Sequence, residues 1–317
     1  MSSGIPIRPS MVVPSFYKTY KEPRNCTIFA LGAALLFLAG PHNSGLSAQF
    51  SSGVNIVEVY AAATTSDGNP VTGLRREDFT VLEDGRPQTV TAFAEGDFPL
   101  SVAIAIDRSF SMTPRRGNGR PQSLTPGGGA RTFLSELRPQ DESMIVAIGS
   151  EIEVVAALST DRSAQTRAVQ ALTPWGTTGL YDAIIASIDA IQAAKGRRAL
   201  VLLSDGSDRY SKASASDALA RARHSDVMVY PVTIGSAPPP LFAELATLTG
   251  GRSFHPRDAA QLDTVMKTIA NELRHQYLLG YTPSRPFTAG EEQWRAITVR
   301  VSRADVRVRA RDGYLAK

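Results

Sequence analysis

The sequence of 317 residues contains a single cysteine, Cys26, four histidines and two tryptophans. A lone cysteine excludes an internal disulfide and any zinc site built from several thiolates. The sequence also lacks the motifs GxSxG, HExxH and the phosphate-binding P-loop, which are common signals of hydrolases and nucleotide enzymes. What is present is ordinary for a globular protein, since 43% of the residues are hydrophobic and 20% are charged.

Residues 1–48 have the pattern of an export leader. Four Lys or Arg residues and one acid precede the apolar run TIFALGAALLFLAG at 27–40, and small and polar residues follow it. This run is short for a membrane span, which needs about 20 residues. The pattern predicts a secretory signal peptide cleaved near Ser47 or Ala48, with an uncleaved signal anchor as the alternative. We expect the rest of the chain to be exported, to the periplasm, the cell envelope or the medium.

The net charge of +4 belongs largely to this leader. Four of the 34 Lys and Arg residues, but only one of the 30 Asp and Glu residues, lie within residues 1–48, so the remainder is close to neutral. A near-neutral exported part does not indicate a nucleic-acid partner. Membrane contact is expected only through an uncleaved N-terminal segment.

The pattern of apolar residues divides the exported part into three regions. Residues 51–96 and 277–317 read as strands and turns. Between them, at 97–276, the apolar runs LSVAIAID, SMIVAIGS, ALVLLSD and VMVYPVTIG alternate with helix-like stretches. Such alternation predicts an α/β domain with a doubly wound, mostly parallel sheet. We expect the flanking strands to pair into one β-sandwich-like module, the alternative being two independent β pieces.

Oxygen-bearing side chains follow two of the predicted strands and precede one predicted helix. Asp107 ends the first strand and is followed by Ser109 and Ser111, and Asp205 ends the strand ALVLLS. Thr178 lies in the segment TPWGTTGLYDA, just before a helix. In an open parallel sheet, ligands bind at the carboxyl ends of the strands, so these side chains are expected to converge.

The set resembles the metal-ion-dependent adhesion site (MIDAS) of von Willebrand factor type A domains, as found in integrins. That family has DxSxS, then a threonine in a glycine-rich loop, then an aspartate that ends a later strand. The matching positions in this sequence are Asp107, Ser109, Ser111, Thr178 and Asp205. Thr178 is preferred to Thr177 because the flank LYDAI matches the start of the helix in the family. The resemblance implies a Rossmann-like fold and an open coordination position that a partner's Asp or Glu completes.

The flanking segments extend the resemblance. The stretch DGNPVTGLRREDFTVLEDGRPQTVTAFAE before the domain and the strands after it are similar to a group of exported bacterial proteins with a domain of this family. The resemblance covers nearly all of residues 52–316 and implies architecture more than function.

The chemistry of the five side chains independently favours a hard cation. Carboxylate and hydroxyl oxygens suit Mg²⁺, and Mn²⁺ or Ca²⁺ would also accept them. The lack of cysteine and histidine near these positions argues against zinc or copper. The alternative is that each group has a local structural role, with Ser111 and Thr178 capping helices and Asp205 forming a turn.

The other polar candidates have simpler interpretations. His224, His255 and His275 are expected at helix ends, strand ends or helix faces, and none of them accompanies a nucleophile motif. Asp182 is expected to favour a helix N-terminus or to orient a water molecule, and Asp208 to be a turn or capping residue. We therefore do not expect an enzyme, because no general base is evident.

Two further features remain open. Trp175 is either a ligand-contacting aromatic residue or a loop anchor. Three arginines alternate with Val or Ala near the C-terminus, which predicts a solvated sheet face or a protected edge, with an anionic partner surface as the alternative; they are Arg307, Arg309 and Arg311.

These observations predict an exported, divalent-cation-dependent protein-binding module of adhesion type. The expected partner is a protein or peptide that supplies a carboxylate to the metal. The first alternative is a structural or assembly component of the cell envelope with an unused metal site. A metal-assisted hydrolase is the less favoured alternative.

Overall fold

The computed structural model describes most of the chain after residue 55. The described residues are 56–96, 98–113, 124–235, 237–286, 290 and 292–316. The expected leader at residues 1–48 lies outside them. In the described part, no helix is both long enough and apolar enough to cross a membrane.

Within these residues the chain forms thirteen β-strands and six α-helices. The strands are β1 (Val57–Thr64), β2 (Phe79–Glu83), β3 (Arg86–Gln88), β4 (Val90–Glu95), β5 (Leu100–Asp107), β6 (Glu142–Ile148), β7 (Ile152–Ser159), β8 (Arg197–Ser204), β9 (Val227–Thr233), β10 (Gln276–Tyr281), β11 (Gln293–Val301), β12 (Arg307–Arg309) and β13 (Gly313–Ala316). The helices are α1 (Pro126–Glu136), α2 (Arg162–Ala171), α3 (Leu180–Ile191), α4 (Ala215–Arg223), α5 (Pro240–Thr249) and α6 (Ala259–Arg274).

A five-stranded sheet with the strand order β7-β6-β5-β8-β9 forms the centre of the α/β part. Strands β5, β6, β8 and β9 are parallel, and β7 is antiparallel to its neighbour. Helices α1, α2 and α6 cover one face, and α3, α4 and α5 cover the other. This arrangement confirms the predicted doubly wound sheet, and burial on both faces explains the continuous apolar runs in the sequence.

Strand β5 lies in the middle of the sheet, and all eight of its residues are buried. Ile104 and Ile106 pack in the cluster beneath α1 and α6, whereas Ala103 and Ala105 pack in the cluster that contains α3. Because side chains alternate between the two faces of a strand, β5 is fixed from both sides. Its last residue, Asp107, is therefore held at a defined position on the carboxyl edge.

The apolar runs predict four strands of the central sheet, and β7 is not one of them. It pairs antiparallel with β6, from Ile152 opposite Ile148 to Ser159 opposite Ser143. All of its residues are half-buried or exposed. Because it forms the edge of the sheet, its sequence IEVVAALS has neither the buried run of a central strand nor a strict alternation.

The strands before and after the α/β part form two antiparallel four-stranded sheets, β12-β1-β10-β4 and β13-β11-β2-β3. Strand β1 pairs with β10 and β2 pairs with β11, so each sheet combines strands from both ends of the described chain. Residues of both sheets, including Val59, Val81 and Leu279, share one apolar cluster. The N- and C-terminal strands thus make one β module, as expected, rather than two independent pieces.

A charged pair is buried inside this β module. The Glu83 carboxylate accepts a hydrogen bond from Arg295 Nη1 at 3.1 Å, and the two side chains are only 3% and 2% exposed. Glu83 Oε2 also accepts hydrogen bonds from the hydroxyls of Tyr281 at 2.9 Å and Tyr314 at 2.8 Å. Burial and the Glu83 carboxylate raise the pKa of Tyr314 to about 12. The four residues belong to β2, β10, β11 and β13 and so connect both sheets.

The alternating arginines near the C-terminus do not form the predicted solvated face, although β12 is an edge strand of its sheet, as the other half of that prediction has it. Arg309 Nη2 lies 2.5 Å from the buried Glu272 carboxylate of α6, and Arg309 Nη1 donates to the Gly251 carbonyl at 2.7 Å. Arg311 Nη2 donates to the Glu58 carbonyl at 2.8 Å. Of the three, Arg307 alone has an exposed side chain. Strand β12 packs near α6, a tertiary contact that the alternation of residue types does not reveal.

Candidate metal centre

Three loops meet at the carboxyl edge of the central sheet. They are the Asp107 loop (residues 107–113), the Thr178 loop (residues 175–179) and the Asp205 loop (residues 205–213). Strands β5 and β8 are parallel neighbours with Ile106 opposite Leu203, so Asp107 and Asp205 leave the sheet side by side. Topology alone therefore brings the two carboxylates to one place.

Backbone hydrogen bonds join the Thr178 loop to both of the other loops. Each of them runs between loops that are far apart in sequence, and their lengths are 2.7 to 3.0 Å. The bonds run from Phe110 N–H to Gly176 O, from Trp175 N–H to Arg108 O, and from Arg209 N–H to Thr178 O. Backbone bonds of this kind set the positions of the loops independently of any ligand.

The glycine before the two threonines is required by this close packing. Gly176 has a φ of 74°, a conformation that favours glycine. A Cβ at this position would lie 2.2 Å from Ser150 Oγ and 2.6 Å from Ser150 N, in the turn between β6 and β7. A side chain here would therefore push the Thr178 loop away from the sheet.

The Asp107 carboxylate is buried and held at both oxygens. The residue is 1% exposed, and Oδ1 accepts the Ser109 N–H at 2.9 Å. Oδ2 accepts the Ser204 hydroxyl at 2.7 Å, and Ser204 Oγ in turn accepts the Gly206 N–H at 3.0 Å. This chain fixes the carboxylate relative to the Asp205 loop.

The two serine hydroxyls of the Asp107 loop lie together. Ser109 Oγ and Ser111 Oγ are 2.9 Å apart, and Ser109 is 1% exposed. A short 3-10 helix at Phe110–Met112 brings the second hydroxyl back towards the first. The next α-helix among the described residues, α1, is capped by Thr125, so Ser111 is not the cap of that helix.

Thr178 is 2% exposed and lies directly before the N-cap of α3. The N-terminal amides of α3 are bound by the Asp205 loop instead, because Asp208 Oδ1 accepts the Leu180 N–H at 2.7 Å and Ser211 Oγ accepts the Tyr181 N–H at 2.9 Å. Thr178 is therefore not the capping residue that the structural alternative requires. The backbone N–H of Thr177 donates to Ser150 Oγ at 3.2 Å.

Asp205 begins its loop and helps to shape it. Its Oδ1 accepts the Ser207 N–H at 3.0 Å, which is the turn-forming bond that the structural alternative expects. Gly235, at the end of β9, packs against the residue, since a Cβ there would lie 3.2 Å from Asp205 Cβ.

The electrostatics of the site favour a bound cation. Burial raises the pKa of Asp107 above its ordinary value, and the nearby Asp205 carboxylate raises it further, against hydrogen bonds from Ser109 and Ser204 that lower it. Two neighbouring carboxylates, one of them buried, are stabilised by positive charge between them. The described residues contain no group of three or more His, Cys, Asp or Glu side chains arranged for a metal. A cation here would rely on hydroxyl oxygens as well as the two carboxylates, a donor set that suits a hard divalent ion.

The sequence argument does not give the contacts of three supporting residues. Ser204 holds Asp107, whereas Asp208 and Ser211 hold the start of α3. Ser204 could have been found, because a hydroxyl that ends a buried strand next to β5 must lie beside Asp107. Asp208 does cap a helix, as one interpretation predicts, although the helix is α3 and not one that follows it in sequence.

Asp182 also supports the site through backbone contacts. Its carboxylate accepts the N–H groups of Lys212 and Ala213, both at 2.9 Å, and so ties α3 to the end of the Asp205 loop.

The described histidines contact backbone carbonyls or end a helix. His255 Nε2 lies 2.9 Å from Gly235 O, His275 Nδ1 lies 2.8 Å from Asn271 O, and His224 is the C-cap of α4.

Replacing Asp208 with alanine is expected to lower the free energy of unfolding by about 1–2 kcal/mol, because two N-terminal amides of α3 lose a carboxylate acceptor. Asp189→Ala is the matched control. Asp189 lies near the other end of α3, in an exposed pair with Arg221, so its loss is expected to cost about 0–1 kcal/mol. Urea denaturation of both variants measures the difference, and equal losses would refute the capping role.

Residues 102–207 match the family model of the von Willebrand factor type A domain. Among solved structures, a von Willebrand factor type A protein from Catenulispora acidiphila is 14% identical, with a TM-score of 0.48, and 82% of this chain and 72% of that chain are covered. An aerotolerance-related membrane protein from Bacteroides fragilis is 14% identical, with a TM-score of 0.44 and coverage of 55% and 99%. Proximal thread matrix protein 1 from the mussel byssus, with a zinc-occupied MIDAS motif, is 14% identical, with a TM-score of 0.47 and coverage of 59% and 48%. A search of curated proteins finds no match to this chain.

The matched residues begin in β5 and end in the Asp205 loop. They include all five candidate ligands and the hydrogen bonds that join the Thr178 loop to the Asp107 loop. Residues 102–207 are therefore similar to the von Willebrand factor type A domain, and this similarity covers about a third of the chain.

Proposed function

We propose that the chain is a divalent-cation-dependent protein-binding module. The observation that supports the proposal is the meeting of three loops that carry the five oxygen-bearing side chains, with the Asp107 carboxylate buried and held at both oxygens. The residues proposed to hold the cation are Asp107, Ser109, Ser111, Thr178 and Asp205. A partner's Asp or Glu would supply the remaining ligand.

Each residue has a defined part in this proposal. Asp107 and Asp205 provide negative charge, and the hydroxyls of Ser109, Ser111 and Thr178 provide neutral oxygen ligands. A bound cation supplies positive charge that offsets the two carboxylates and can accept an oxygen from outside the chain. Ser204 keeps Asp107 in place, so this carboxylate is positioned before the partner arrives.

The donor set favours Mg²⁺, with Mn²⁺ or Ca²⁺ as further candidates. Two carboxylates nearly neutralise a divalent ion, and hydroxyl ligands do not distinguish strongly among hard cations. A binding role is favoured over hydrolysis because, among the described histidines, His255 follows β9 and its Nε2 is engaged with the Gly235 carbonyl. Catalysis would need a base within reach of the reacting atoms.

The proposed cellular location follows from the proposed leader at residues 1–48. We place the module outside the cytoplasm, in the periplasm, the cell envelope or the medium. The partner would be another exported or surface protein. The β module would then present the α/β part, since both of its sheets are built from strands that flank it.

The proposal is tested by capture of partners from an envelope fraction, with Mg²⁺ or with EDTA. Wild-type protein is expected to retain a partner in Mg²⁺ and to lose it in EDTA, and Asp107→Ala to lose it in both. Asp189→Ala, which removes an exposed carboxylate outside the three loops, is expected to behave as the wild type. If the same partner is captured in EDTA and by Asp107→Ala, the result would favour a structural component with an unused metal site.

A further inference from the structure

Large apolar side chains are exposed around the candidate metal centre. Among the described residues, five are exposed: Ile56, Phe110, Val154, Trp175 and Tyr210. Three of the five, and all of the aromatic ones, lie on the three loops of the site, one on each loop. Phe110 is 50% exposed, Trp175 is 39% exposed and Tyr210 is 69% exposed.

The backbone holds these aromatic residues close to the proposed ligands. Phe110 lies between Ser109 and Ser111, and its N–H donates to Gly176 O at 3.0 Å, directly after Trp175. The Trp175 N–H donates to Arg108 O at 2.7 Å, and the Arg108 guanidinium lies 5.1 Å from the centre of the tryptophan ring. Tyr210 follows Arg209, whose N–H is bound to Thr178 O.

Exposure of three aromatic side chains is unfavourable for an isolated chain, since burying one contributes about 1.5–3 kcal/mol. Aromatic side chains on a rigid backbone are instead typical of the energetically dominant residues of protein interfaces. Fixed loops also reduce the entropy that binding must lose. The aromatic rim, defined as Phe110, Trp175 and Tyr210, therefore has the properties of a contact surface.

The charge of the loops indicates the sign of the partner. The three loops contain three acids, Asp107, Asp205 and Asp208, and three bases, Arg108, Arg209 and Lys212. They are neutral together, and Glu153 of β7 pairs with Arg108 at 3.5 Å, so the positive charge at this edge comes from the bound divalent cation. An acidic partner segment is complementary to that charge, and apolar side chains beside the acid are complementary to the aromatic rim.

We propose that the partner is a polypeptide that presents its carboxylate within an apolar or aromatic stretch. The acid reaches the cation while the side chains next to it pack on Phe110, Trp175 and Tyr210. This inference rests on the proposed function and adds the chemistry of the partner to it. Isolated carboxylates, or acids flanked by small polar residues, would bind more weakly.

The test is a selection of random short peptides displayed on phage, using the full chain in Mg²⁺ and elution with EDTA. The selected peptides are expected to contain Asp or Glu with Phe, Tyr, Trp or Leu within about two positions, enriched over the input library. Against a selected peptide, Tyr210→Ser and Trp175→Ser are each expected to lower the affinity by about ten-fold. Ile56→Ser is the control, because Ile56 is a similarly exposed apolar residue before β1. This substitution is expected to leave the affinity for the peptide unchanged.

The outcomes separate the inference from the function on which it rests. EDTA-eluted acidic peptides without apolar enrichment, or an unchanged affinity in both rim variants, would refute the inference and leave the metal-dependent function standing. A selection without EDTA-eluted peptides, or peptides that also bind Asp107→Ala, would refute both. Tyr210→Ser is expected to keep the full rise in melting temperature caused by Mg²⁺, which shows that the metal site is intact.

Discussion

Replacing Glu83 with alanine is expected to lower the free energy of unfolding by about 3–5 kcal/mol, the cost of leaving a buried charge without its partner. Arg295 would remain in the apolar interior of the β module at 2% exposure. The hydroxyls of Tyr281 and Tyr314 would also lose the Glu83 carboxylate that accepts their hydrogen bonds. Denaturation in urea, followed by circular dichroism, measures the loss.

A double-variant cycle shows whether the loss comes from the pair. Glu83→Ala together with Arg295→Ala is expected to cost less than the sum of the single variants, by about 0.5–3 kcal/mol. Glu77→Ala is the control, because Glu77 forms an exposed pair with Arg76 in the same part of the chain and should cost about 0–1 kcal/mol. Additive losses, or a loss as small as that of the control, would contradict the buried pair that connects the two ends of the chain.

The second large effect is the dependence of stability on divalent cations. A cation that binds only the folded chain adds about 2.7 kcal/mol when its free concentration is about a hundred-fold above Kd. For a chain of this size, that gain corresponds to a rise in Tm of roughly 5–10 °C. Wild-type protein is expected to show this rise in Mg²⁺, whereas Asp107→Ala should show none. An equal rise in both proteins would place the binding elsewhere.

The pH dependence of the metal-free protein follows from the same carboxylate. Burial and Asp205 raise the pKa of Asp107 in the folded chain above its ordinary value of 3.8, so the folded state holds this proton more tightly than the unfolded chain does. The contribution of Asp107 to stability is therefore greatest below 3.8, falls as the pH rises through the raised value, and stays low above it.

Melting temperatures in EDTA, over a series from about pH 3 to about pH 7, measure this fall. Asp107→Asn, which cannot ionise at this position, is expected to lose less stability than the wild type over the same interval. Mg²⁺ at neutral pH should restore the stability of the wild type only. If the melting temperatures of the wild type and Asp107→Asn depend on pH in the same way, the pKa of the Asp107 carboxyl is not raised by its surroundings.

The architecture could be predicted from sequence where burial leaves a continuous signal. The runs that became β5, β6, β8 and β9 are apolar throughout because both faces of the sheet are covered, and their alternation with helices fixes the class of fold. Strand β7 carries no such signal because it is a half-exposed edge. Its place depends on a tight turn after β6, which burial patterns do not encode.

The candidate ligands could be predicted for a similar reason. A carboxylate that ends an apolar strand is unusual, and the topology of a parallel sheet places Asp107 beside Asp205 once β5 and β8 are neighbours. The structure brings the three loops together, and ligation of a metal by the five side chains stays a prediction. The choice of Thr178 over Thr177 agrees with its deeper burial but likewise awaits measurement.

The contacts of Asp208 and Arg309 could not be predicted, because they depend on tertiary placement. Asp208 caps a helix that precedes it by 28 positions, and Arg309 pairs with Glu272 on a helix of the α/β part. Local sequence patterns predict a turn or a helix cap for Asp208 and a solvated face or a protected edge for Arg309, without identifying either partner. In both cases the partner is distant in sequence, and the periodicity of a local segment carries no information about it.

The most direct test of the metal centre is a titration of the full chain with Mn²⁺, followed by the electron paramagnetic resonance signal of the free ion. The wild type and the control Asp189→Ala are expected to remove about one equivalent of Mn²⁺ from solution, and Mg²⁺ to release it. Asp107→Ala is expected to leave the signal of free Mn²⁺ unchanged. Wild-type protein that binds no Mn²⁺, or Asp107→Ala that binds it as tightly as the wild type, would contradict a metal site at the meeting point of the three loops.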